Sequence, residues 1–533
     1  MIEHELKFSL TDSMAAEFEQ RATMGLAQAP ARLVNRYFDT SAGDLMNAAV
    51  SLRVRQSAEG CLQTVKAAGS GPFERFEWER PIAGDQPETA ALPPASEPAG
   101  DLIRECFGLL MPVFETDFER QIRLVRPQTG VRVEIACDRG EIRAGNRTER
   151  IAEVELERKE GPAAAFYHYA LQWAQLHGAR LLLPTKAQRG LQLAGWLTER
   201  PAPVKVVPAS PPAQTPTGEA ARVILLGHLN HFLANVEPVL AGSDPEGPHQ
   251  LRVALRRFRS AIRFFDLRRP HQSGGPDVPE AVAAAGEPAP ADDPTAAQWQ
   301  TLDAGARALA TDASFVRDAD VFEAGLLATL ARGFPGDAAL QVLRRSLQTQ
   351  REQERQRLRR ALQSAPMAVF VLQAHVAIES LDRIHWLSEP YEAFAAERLA
   401  GLVKRVRRRT RAAAAEADWH EVRIAIKNLR YALDGCKALD LTTEPVGDAI
   451  ETLSRWQGTL GLGQDLAVAR GVAAEALAKT AAPTEMGVRA AALIDGYRAF
   501  ATRSESPEKL RKPILAGLRR LLAERPRDRG APT

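Results

Sequence analysis

The first 160 residues alternate charged and apolar side chains along successive short segments, and this alternation constrains the fold more than any other feature of the chain. In the opening segment MIEHELKFSL, Glu3, Glu5 and Lys7 occupy every second position. Along a β-strand such positions project from one face of the sheet, and the intervening Leu6 and Phe8 project from the other. The segment therefore predicts a strand with a charged face and an apolar face.

Later segments repeat the pattern with other charges. SLRVRQS places Arg53 and Arg55 on one face, and IAEVELERK does the same with Glu153, Glu155 and Glu157. A single strand of this kind is typical of a sheet with one solvated side. If the sheet closes into a barrel, however, the acidic first and last strands become neighbours and the charged faces line a polar lumen.

Such a lumen would suit a metal-bound polyphosphate. Carboxylates are ligands for Mg²⁺ or Mn²⁺, which proteins commonly hold through a few carboxylates and the phosphates of a substrate. Arg and Lys bind the phosphate oxygens. Phosphoanhydride hydrolysis depends on positioning and charge neutralisation more than on covalent chemistry by the protein.

Composition limits the remaining classes of function. The 533 residues suffice for two or more domains, and 69 Lys and Arg against 67 Asp and Glu indicate no general affinity for nucleic acid. The four cysteines are scattered and lack metal-ligand spacing, as is typical of a reducing cytoplasm. We find no basic, apolar leader and expect no segment that spans a membrane, so the sequence predicts a cytoplasmic protein.

A proline-rich stretch divides the chain. We predict a strand-rich domain at 1–200, an extended linker at 201–218 and a helical domain at 219–520. The segment 270–298 has the composition of a loose insertion, and 521–533 that of a flexible tail.

The helical domain contains two internal copies, HQLRVALRRFR and HEVRIAIKNLR. In both, basic residues lie 3, 7 and 10 positions after the histidine, on one stripe of a helix, and apolar residues form a separate stripe. One such stripe is typical of a solvated face, whereas two equally spaced copies predict pooled charge for a long polyanion, bound more tightly as the histidines protonate near pH 6.5. KRVRRRTR at 404–411 adds to the local positive field. The candidate residues for binding this polyanion are His249, Arg252, Arg256, Arg259, His420, Arg423, Lys427 and Arg430.

The N-terminal motifs resemble those of the CYTH family, the triphosphate tunnel metalloenzymes. They are E-x-E-x-K at 3–7, RYFDT at 36–40, LRVR at 52–55, EVELE at 153–157 and TKAQRG at 185–190. The resemblance implies an eight-stranded antiparallel tunnel that holds a triphosphate, with divalent metal on glutamates.

The resemblance also implies roles for individual residues. The alternation alone leaves Arg36 and Arg120 open to either face, and the resemblance assigns both to the lumen. Glu77, Glu134 and Asp138 are further lumen candidates, and Arg189 is expected to serve packing or a salt bridge. The metal ligands would be Glu3, Glu5, Glu153, Glu155 and Glu157; the substrate-binding residues Lys7, Arg36, Arg53, Arg55, Lys66, Arg120 and Lys186; and the catalytic residues Glu3, Glu5, Lys7 and Lys66.

The helical copies, with RDADV at 317–321 and GQDLAVA at 463–469, resemble the CHAD domain. This resemblance implies two pseudo-symmetric four-helix bundles around a basic cavity that binds inorganic polyphosphate. Asp318, Asp320 and Asp465 would orient the arginines.

The order of the two domains is similar to that of the bacterial inorganic triphosphatases. It implies a metal-dependent hydrolase of inorganic triphosphate, with Mg²⁺ or Mn²⁺ as cofactor and an association with polyphosphate granules. The alternatives are thiamine triphosphate hydrolysis or adenylate cyclisation in the same tunnel, or a non-catalytic protein that binds polyphosphate or targets granules.

Overall fold

The computed structural model describes most of the chain. The predicted insertion lies outside the described residues except for its end, where a helix begins at Ala296, and the predicted tail lies outside them beyond Leu521. The described residues are 2–10, 26–27, 29–127, 130–197, 201–205, 207–269, 296–381, 387–442, 444–478, 484–504 and 507–521.

Eight long antiparallel strands close into a barrel, as predicted. Their order is β1-β6-β5-β4-β3-β7-β8-β9, and β9 pairs back onto β1. The short strands β2 and β10 pair with β7 and β1, respectively. The strands are β1 Ile2–Ser9, β2 Leu26–Ala27, β3 Ala31–Asp39, β4 Val50–Ser57, β5 Gly60–Ala68, β6 Glu74–Ile82, β7 Met111–Val125, β8 Arg132–Ala144, β9 Arg147–Glu160 and β10 Arg180–Leu181.

The alternation in the sequence becomes the two faces of the barrel wall. Leu6 and Phe8 are fully buried on the outer face, where Phe8 packs against Trp173 with ring centroids 5.2 Å apart. The acidic first and last long strands are neighbours, as expected, because Glu5 pairs with Glu157 across β1 and β9. The described residues before 198 also form four α-helices: α1 Asp44–Asn47, α2 Gly100–Cys106, α3 Ala163–His177 and α4 Lys186–Leu193.

One end of the barrel interior is filled by apolar side chains. Leu33, Phe118 and Ile142 share the inward register of the charged residues but form a buried cluster. Helix α4 packs on this cluster, and Gly190 permits the close approach, since a Cβ there would lie 2.0 Å from the ring of Phe114. The lumen is therefore a chamber closed at the α4 end.

The described residues from 217 onward are mainly helical, as predicted. They include a π turn at Glu323–Leu327. The helices are α5 Thr217–Ala234, α6 Val236–Ala241, α7 Glu246–Phe264, α8 Ala296–Asp312, α9 Ser314–Phe322, α10 Ala328–Gly333, α11 Ala338–Leu362, α12 Ala365–Ile378, α13 Tyr391–Ala412, α14 Glu416–Gly435, α15 Val446–Thr459, α16 Leu462–Ala478, α17 Thr484–Ser504 and α18 Arg511–Arg520.

The chain forms two compact units. The barrel unit comprises Met1–Pro203 with two later segments, Leu233–Ser243 and Ala361–Val376. The helical unit comprises Val204–Phe232, Asp244–Arg360 and Ala377–Thr533. The continuous boundaries drawn from composition stay a prediction.

One described segment, Thr217–Ala241, has the length and apolar composition of a membrane span, contrary to our expectation. Of this segment, 61% is buried inside the protein, as is usual for a core helix. The helix pair Ala338–Leu362 and Ala365–Ile378 meets the same criteria only when taken together, and it bends by 54° at its junction.

Candidate functional site

The barrel encloses a cavity of about 140 Å³ with a mainly polar lining. Eight cations and seven carboxylates face it, and the few uncharged lining residues are small or polar apart from Tyr37. The charged lining residues are Glu3, Glu5, Lys7, Arg53, Arg55, Lys66, Arg75, Glu77, Glu79, Arg120, Glu134, Glu155, Glu157, Lys159 and Lys186.

Most of the predicted site residues share this cavity, although their roles stay predictions. The two glutamates of the opening segment are each paired with a lysine: Glu3 accepts from Lys66 at 2.6 Å, and Glu5 accepts from Lys7 at 2.9 Å. Both carboxylates are buried. Of the further lumen candidates, Glu77 and Glu134 line the cavity.

The prediction that Arg36 faces the lumen is wrong. In β3 the neighbours Asn35 and Tyr37 point inward, so Arg36 projects outward. Its guanidinium pairs with Glu115 at 2.8 Å and with Asp85 at 2.9 Å. Arg36, which we predicted to bind phosphate, therefore forms a surface ion pair.

Glu153 faces inward but does not line the cavity. Its fully buried carboxylate contacts Lys186 and accepts from Arg189 at 2.7 Å. Arg189 also pairs with Glu149 at 2.6 Å, which agrees with its expected salt-bridge role.

Asp138, Glu153 and Glu155 form a buried acidic cluster whose oxygens lie within 4.8 Å of one another. Lys186 occupies the middle of this cluster, 2.7 Å from Asp138 and 2.8 Å from Glu155. Although burial alone would raise it, Lys186 and Arg120 hold the pKa of Glu155 well below its ordinary value. The charge of this cluster is therefore balanced by the protein's own cations, and the predicted metal role of Glu153 and Glu155 stays a prediction.

Two other carboxylates of the chamber, Glu5 and Glu157, have raised pKa values. Burial, together with the nearby Glu3 and Glu134, raises the pKa of Glu157 to about 7 despite its bond to Lys159. Burial and the charges of Glu155 and Glu3 raise the pKa of Glu5. Both shifts arise mainly from burial, with a smaller contribution from neighbouring carboxylates, and a bound divalent cation would favour the charged form of each group. This donor set fits Mg²⁺ or Mn²⁺, whose preferred ligands are carboxylate oxygens.

The arginines of the chamber lie close enough to repel one another. Burial, with the adjacent Arg53 and Arg120, lowers the pKa of Arg55 to about 10. Its Nε donates only to the side-chain oxygen of Asn35, at 3.2 Å. Glu79 offsets this repulsion only in part, and a phosphate oxygen in the chamber would add further negative charge beside the guanidinium.

Several lining residues were missed from the sequence. Extending the period of two would have found Ser51, Thr64, Arg75 and Lys159, which lie two positions from predicted lumen residues. Tyr37 was assigned to the wrong face together with Arg36. No alternation could have found Thr185 and Ala187, because they reach the cavity from the start of helix α4.

The helical unit brings the two predicted basic stripes together. Burial lowers the pKa of Lys427 on α14 to about 8, with contributions from Arg256, Arg259 and Arg263 on α7 and from Arg423. The two helices are also cross-linked, since Arg256 donates to the hydroxyl of Tyr431 at 2.8 Å and Arg257 pairs with Asp434 at 3.0 Å. The apolar stripes are buried as predicted: Leu251, Leu255, Phe258 and Ile262, and Val422, Ile426, Leu429 and Leu433.

The aspartates of the second repeated element differ in their partners. Asp318 pairs with Arg252 at 2.7 Å, and Asp465 lies 3.7 Å from Arg423 in the equivalent place. Asp320 instead pairs with Arg351 at 3.1 Å, away from the basic stripes. The expected role of orienting arginines therefore fits the first two aspartates and not Asp320.

Comparisons with known proteins match the two units. A family model of the CYTH domain matches residues 1–191, and one of the CHAD domain matches residues 223–274 and 293–474. An inorganic triphosphatase of Haemophilus influenzae is 30% identical over 164 residues, which are 30% of this chain and 46% of that protein. The chain thus spans about half the length of the curated relative it matches.

Two solved structures are also similar. The CHAD domain from the plant Ricinus communis is 24% identical, with a TM-score of 0.46, over 60% of this chain and 99% of that one. A putative adenylyl cyclase from Hippeastrum, described as having a dominant triphosphatase activity, is 18% identical, with a TM-score of 0.26, over 36% of this chain and 96% of that one.

Proposed function

This chain joins a CYTH domain to a CHAD domain, and from that premise we propose that it hydrolyses inorganic triphosphate with a divalent metal and binds inorganic polyphosphate through its helical unit. The observation that carries the proposal is the small chamber lined by eight cations and seven carboxylates. A pure binder of polyanions gains nothing from so many inward-facing carboxylates, because they repel its ligand. A metal-assisted hydrolase needs both kinds of charge.

The chain's own residues divide the work. Arg53, Arg55 and Arg120 hold phosphate oxygens, since guanidinium groups match their geometry. Lys7 and Lys66, positioned by their bonds to Glu5 and Glu3, neutralise charge on the phosphates as the anhydride bond breaks. Glu3, Glu5 and Glu157 would hold the metal, which supplies Lewis-acid polarisation of the phosphate when bound.

The lining favours an inorganic substrate over an organic triphosphate. Thiamine triphosphate or ATP would need an apolar or aromatic surface for its ring. Among the described lining residues, Tyr37 is the one aromatic side chain, and its ring is stacked on Phe114 at 4.4 Å. The chamber recognises phosphate and offers little else, so thiamine triphosphate hydrolysis and adenylate cyclisation are the weaker candidates.

The closed end of the barrel bears on chain length. The apolar cluster under α4 occupies the lumen beyond Arg120 and Lys186, so a phosphate chain cannot pass through the barrel. A short chain such as triphosphate fits a chamber of this volume, and a long chain could insert only one end.

The pooled stripes of α7 and α14 support polyphosphate binding by the helical unit. The protonated ammonium group of Lys427 is repelled by four nearby arginines. A bound linear polyanion would offset that repulsion. Binding of this kind would associate a cytoplasmic enzyme with polyphosphate granules.

A phosphate-release panel tests the enzymatic proposal. We expect release from inorganic triphosphate with Mg²⁺ or Mn²⁺, less from long polyphosphate, and little from ATP or thiamine triphosphate. Glu3→Gln and Glu5→Gln should each lose most of the activity and stay folded, as circular dichroism would check, because an amide keeps the shape and loses the charge. Glu115→Gln, outside the barrel, is the matched control and should remain active.

Near-normal turnover in both chamber variants would contradict the proposed metal role. Faster release from ATP than from triphosphate would favour an organic substrate instead.

A further inference from the structure

Two acid-free basic segments, about 100 residues apart in the chain, lie on neighbouring helices of the helical unit. Residues 404–411 on α13 contain six Lys or Arg, and residues 509–520, which include α18, contain five. Neither segment contains a carboxylate. A solvated helix face usually mixes both signs of charge, so two unmixed segments at one place are unusual.

Some of these side chains join the helices. Arg511 of α18 donates to the backbone oxygens of Thr410 at 3.3 Å and Arg411 at 2.9 Å, and it contacts that of Ala413. Arg407 of α13 donates in return to the backbone oxygen of Leu518 at 3.4 Å. These bonds satisfy carbonyl groups at helix ends and fix the two basic segments side by side.

Arg409 pairs with Glu421 of α14 at 3.0 Å, and six other cations of the two segments face outward. Lys404, Arg408 and Arg411 follow one another at intervals of four and three residues, which places them on one side of α13. Within the described part of the chain, none of the six outward cations has a carboxylate partner. This set, the outer basic face, consists of Lys404, Arg405, Arg408, Arg411, Lys512 and Arg519, all exposed.

The outer basic face differs from the stripes on α7 and α14. There the arginines are half-buried, and Arg252 and Arg259 are already paired with Asp318 and Asp303. On the outer face the charges are exposed and uncompensated, so a ligand can reach them without displacing a carboxylate.

We propose that the outer basic face is a second binding surface, which takes the part of a long inorganic polyphosphate chain that extends beyond the α7 and α14 stripes. This inference rests on the proposed polyphosphate binding of the helical unit. The complementarity is one of charge alone: the surface presents ammonium and guanidinium groups. The nearby Trp419 is buried beneath Arg511, so its ring is not available for stacking a base. A ligand that consists only of phosphate groups fits this surface better than a single-stranded nucleic acid does.

The test is a titration of the full chain, in EDTA to prevent hydrolysis, with long-chain polyphosphate and separately with inorganic triphosphate. The variant combines Arg405→Gln, Arg408→Gln and Lys512→Gln. We expect its affinity for the long chain to fall about tenfold. The slope of log affinity against log salt concentration should become shallower by about 2, because binding through fewer phosphate contacts releases fewer counterions. Binding of triphosphate should not change, because it occupies the barrel chamber.

A matched control removes the same charge elsewhere in the helical unit. Arg344→Gln, Arg345→Gln and Arg360→Gln lie on exposed positions of α11. An equal loss in this control would show a general effect of net charge and overturn the inference, as would unchanged binding in the outer-face variant.

Two further outcomes are distinguishable. A wild-type chain that binds no polyphosphate overturns both the proposed role of the helical unit and this inference. Double-stranded DNA bound as tightly as polyphosphate, and weakened equally by the outer-face substitutions, would overturn the assignment of the partner.

Discussion

Lys186 contacts all three carboxylates of the buried acidic cluster. Three buried acids surround its ammonium group, and together with Arg120 and Arg189 it balances their charge. A cluster of this composition satisfies the geometric description of a metal site. The lysine in its centre supplies positive charge that a metal ion could also supply.

Removing that ammonium should destabilise the barrel strongly. Lys186→Met leaves Asp138, Glu153 and Glu155 with one buried cation fewer, and breaking a buried ion pair in this way costs about 3–5 kcal/mol. The measurement is the free energy of unfolding in urea at pH 7. Lys159→Met is the control, because its partly exposed ammonium is worth about 1 kcal/mol or less. Equal effects of the two substitutions would contradict the structural role given to Lys186.

At the scale of single elements, the two basic helices make polyphosphate binding depend on pH. The pKa of Lys427 lies near 8, lowered by burial and by four arginines. A bound polyanion favours the protonated form, so affinity should be greatest below pH 8 and should decline as the pH rises through 8 to 9. Lys427→Arg keeps its charge throughout this range and should abolish the decline, whereas a decline that persists in this variant would assign it to another group. Titrations with long-chain polyphosphate at constant ionic strength measure both.

The histidine effect expected from the sequence belongs at lower pH. Burial, together with the charge of Arg317, lowers the pKa of His249. Its protonation therefore adds little to binding at pH 6.5. The sequence shows the spacing of the histidine and the basic residues, but not the crowding that changes their titration.

The strands were predictable where alternation and charge agree. In β1 and β9 the inward residues are charged and the outward residues apolar, so the period of two fixed both faces. In β3 the inward residues Asn35 and Tyr37 are neutral and the outward Arg36 is charged, so the same rule assigned the wrong face. The outward charge is stabilised by Glu115 across β7, a pairing that alternation within one strand cannot show.

The barrel closure itself could be inferred, whereas its closed end could not. Closure follows from acidic first and last strands that both need a polar interior. The apolar cluster consists of side chains in the same inward register as the charges, and helix α4 completes it. Its formation depends on strand lengths and on how far each strand extends beyond the chamber, which no local pattern encodes.

At the scale of the whole molecule, each unit contains a buried histidine with a strongly lowered pKa. Burial lowers the pKa of His375 in the barrel unit to about 3, and the ring stacks on Tyr167 at 4.3 Å. Burial, with Arg257, does the same for His228 in the helical unit. Below pH 6.5 the unfolded chain binds protons at these positions that the folded chain does not, so stability falls as the pH drops.

Replacing one of these histidines should therefore reduce the acid sensitivity of the protein. By pH 5 each buried histidine costs up to about 2 kcal/mol relative to pH 7. In His375→Phe, which preserves a stacked ring, the melting temperature of the barrel unit should fall less between pH 7 and pH 5 than in the wild type. His168→Gln changes a residue that reaches solvent and should leave the pH dependence unaltered. An equal fall in His375→Phe and the wild type would show that other groups dominate.

The lining of the chamber also bears on inhibition. An aromatic, uncharged molecule of the kind that fills most ligand pockets would find almost no surface here on which to bury itself, so screening collections of such compounds should yield few inhibitors. A tight competitor must instead carry several negative charges or chelate a divalent ion, and such molecules cross membranes poorly. Non-hydrolysable analogues of the substrate are therefore suited to study in vitro, and control of the activity in a cell is more practical through gene expression or the supply of metal.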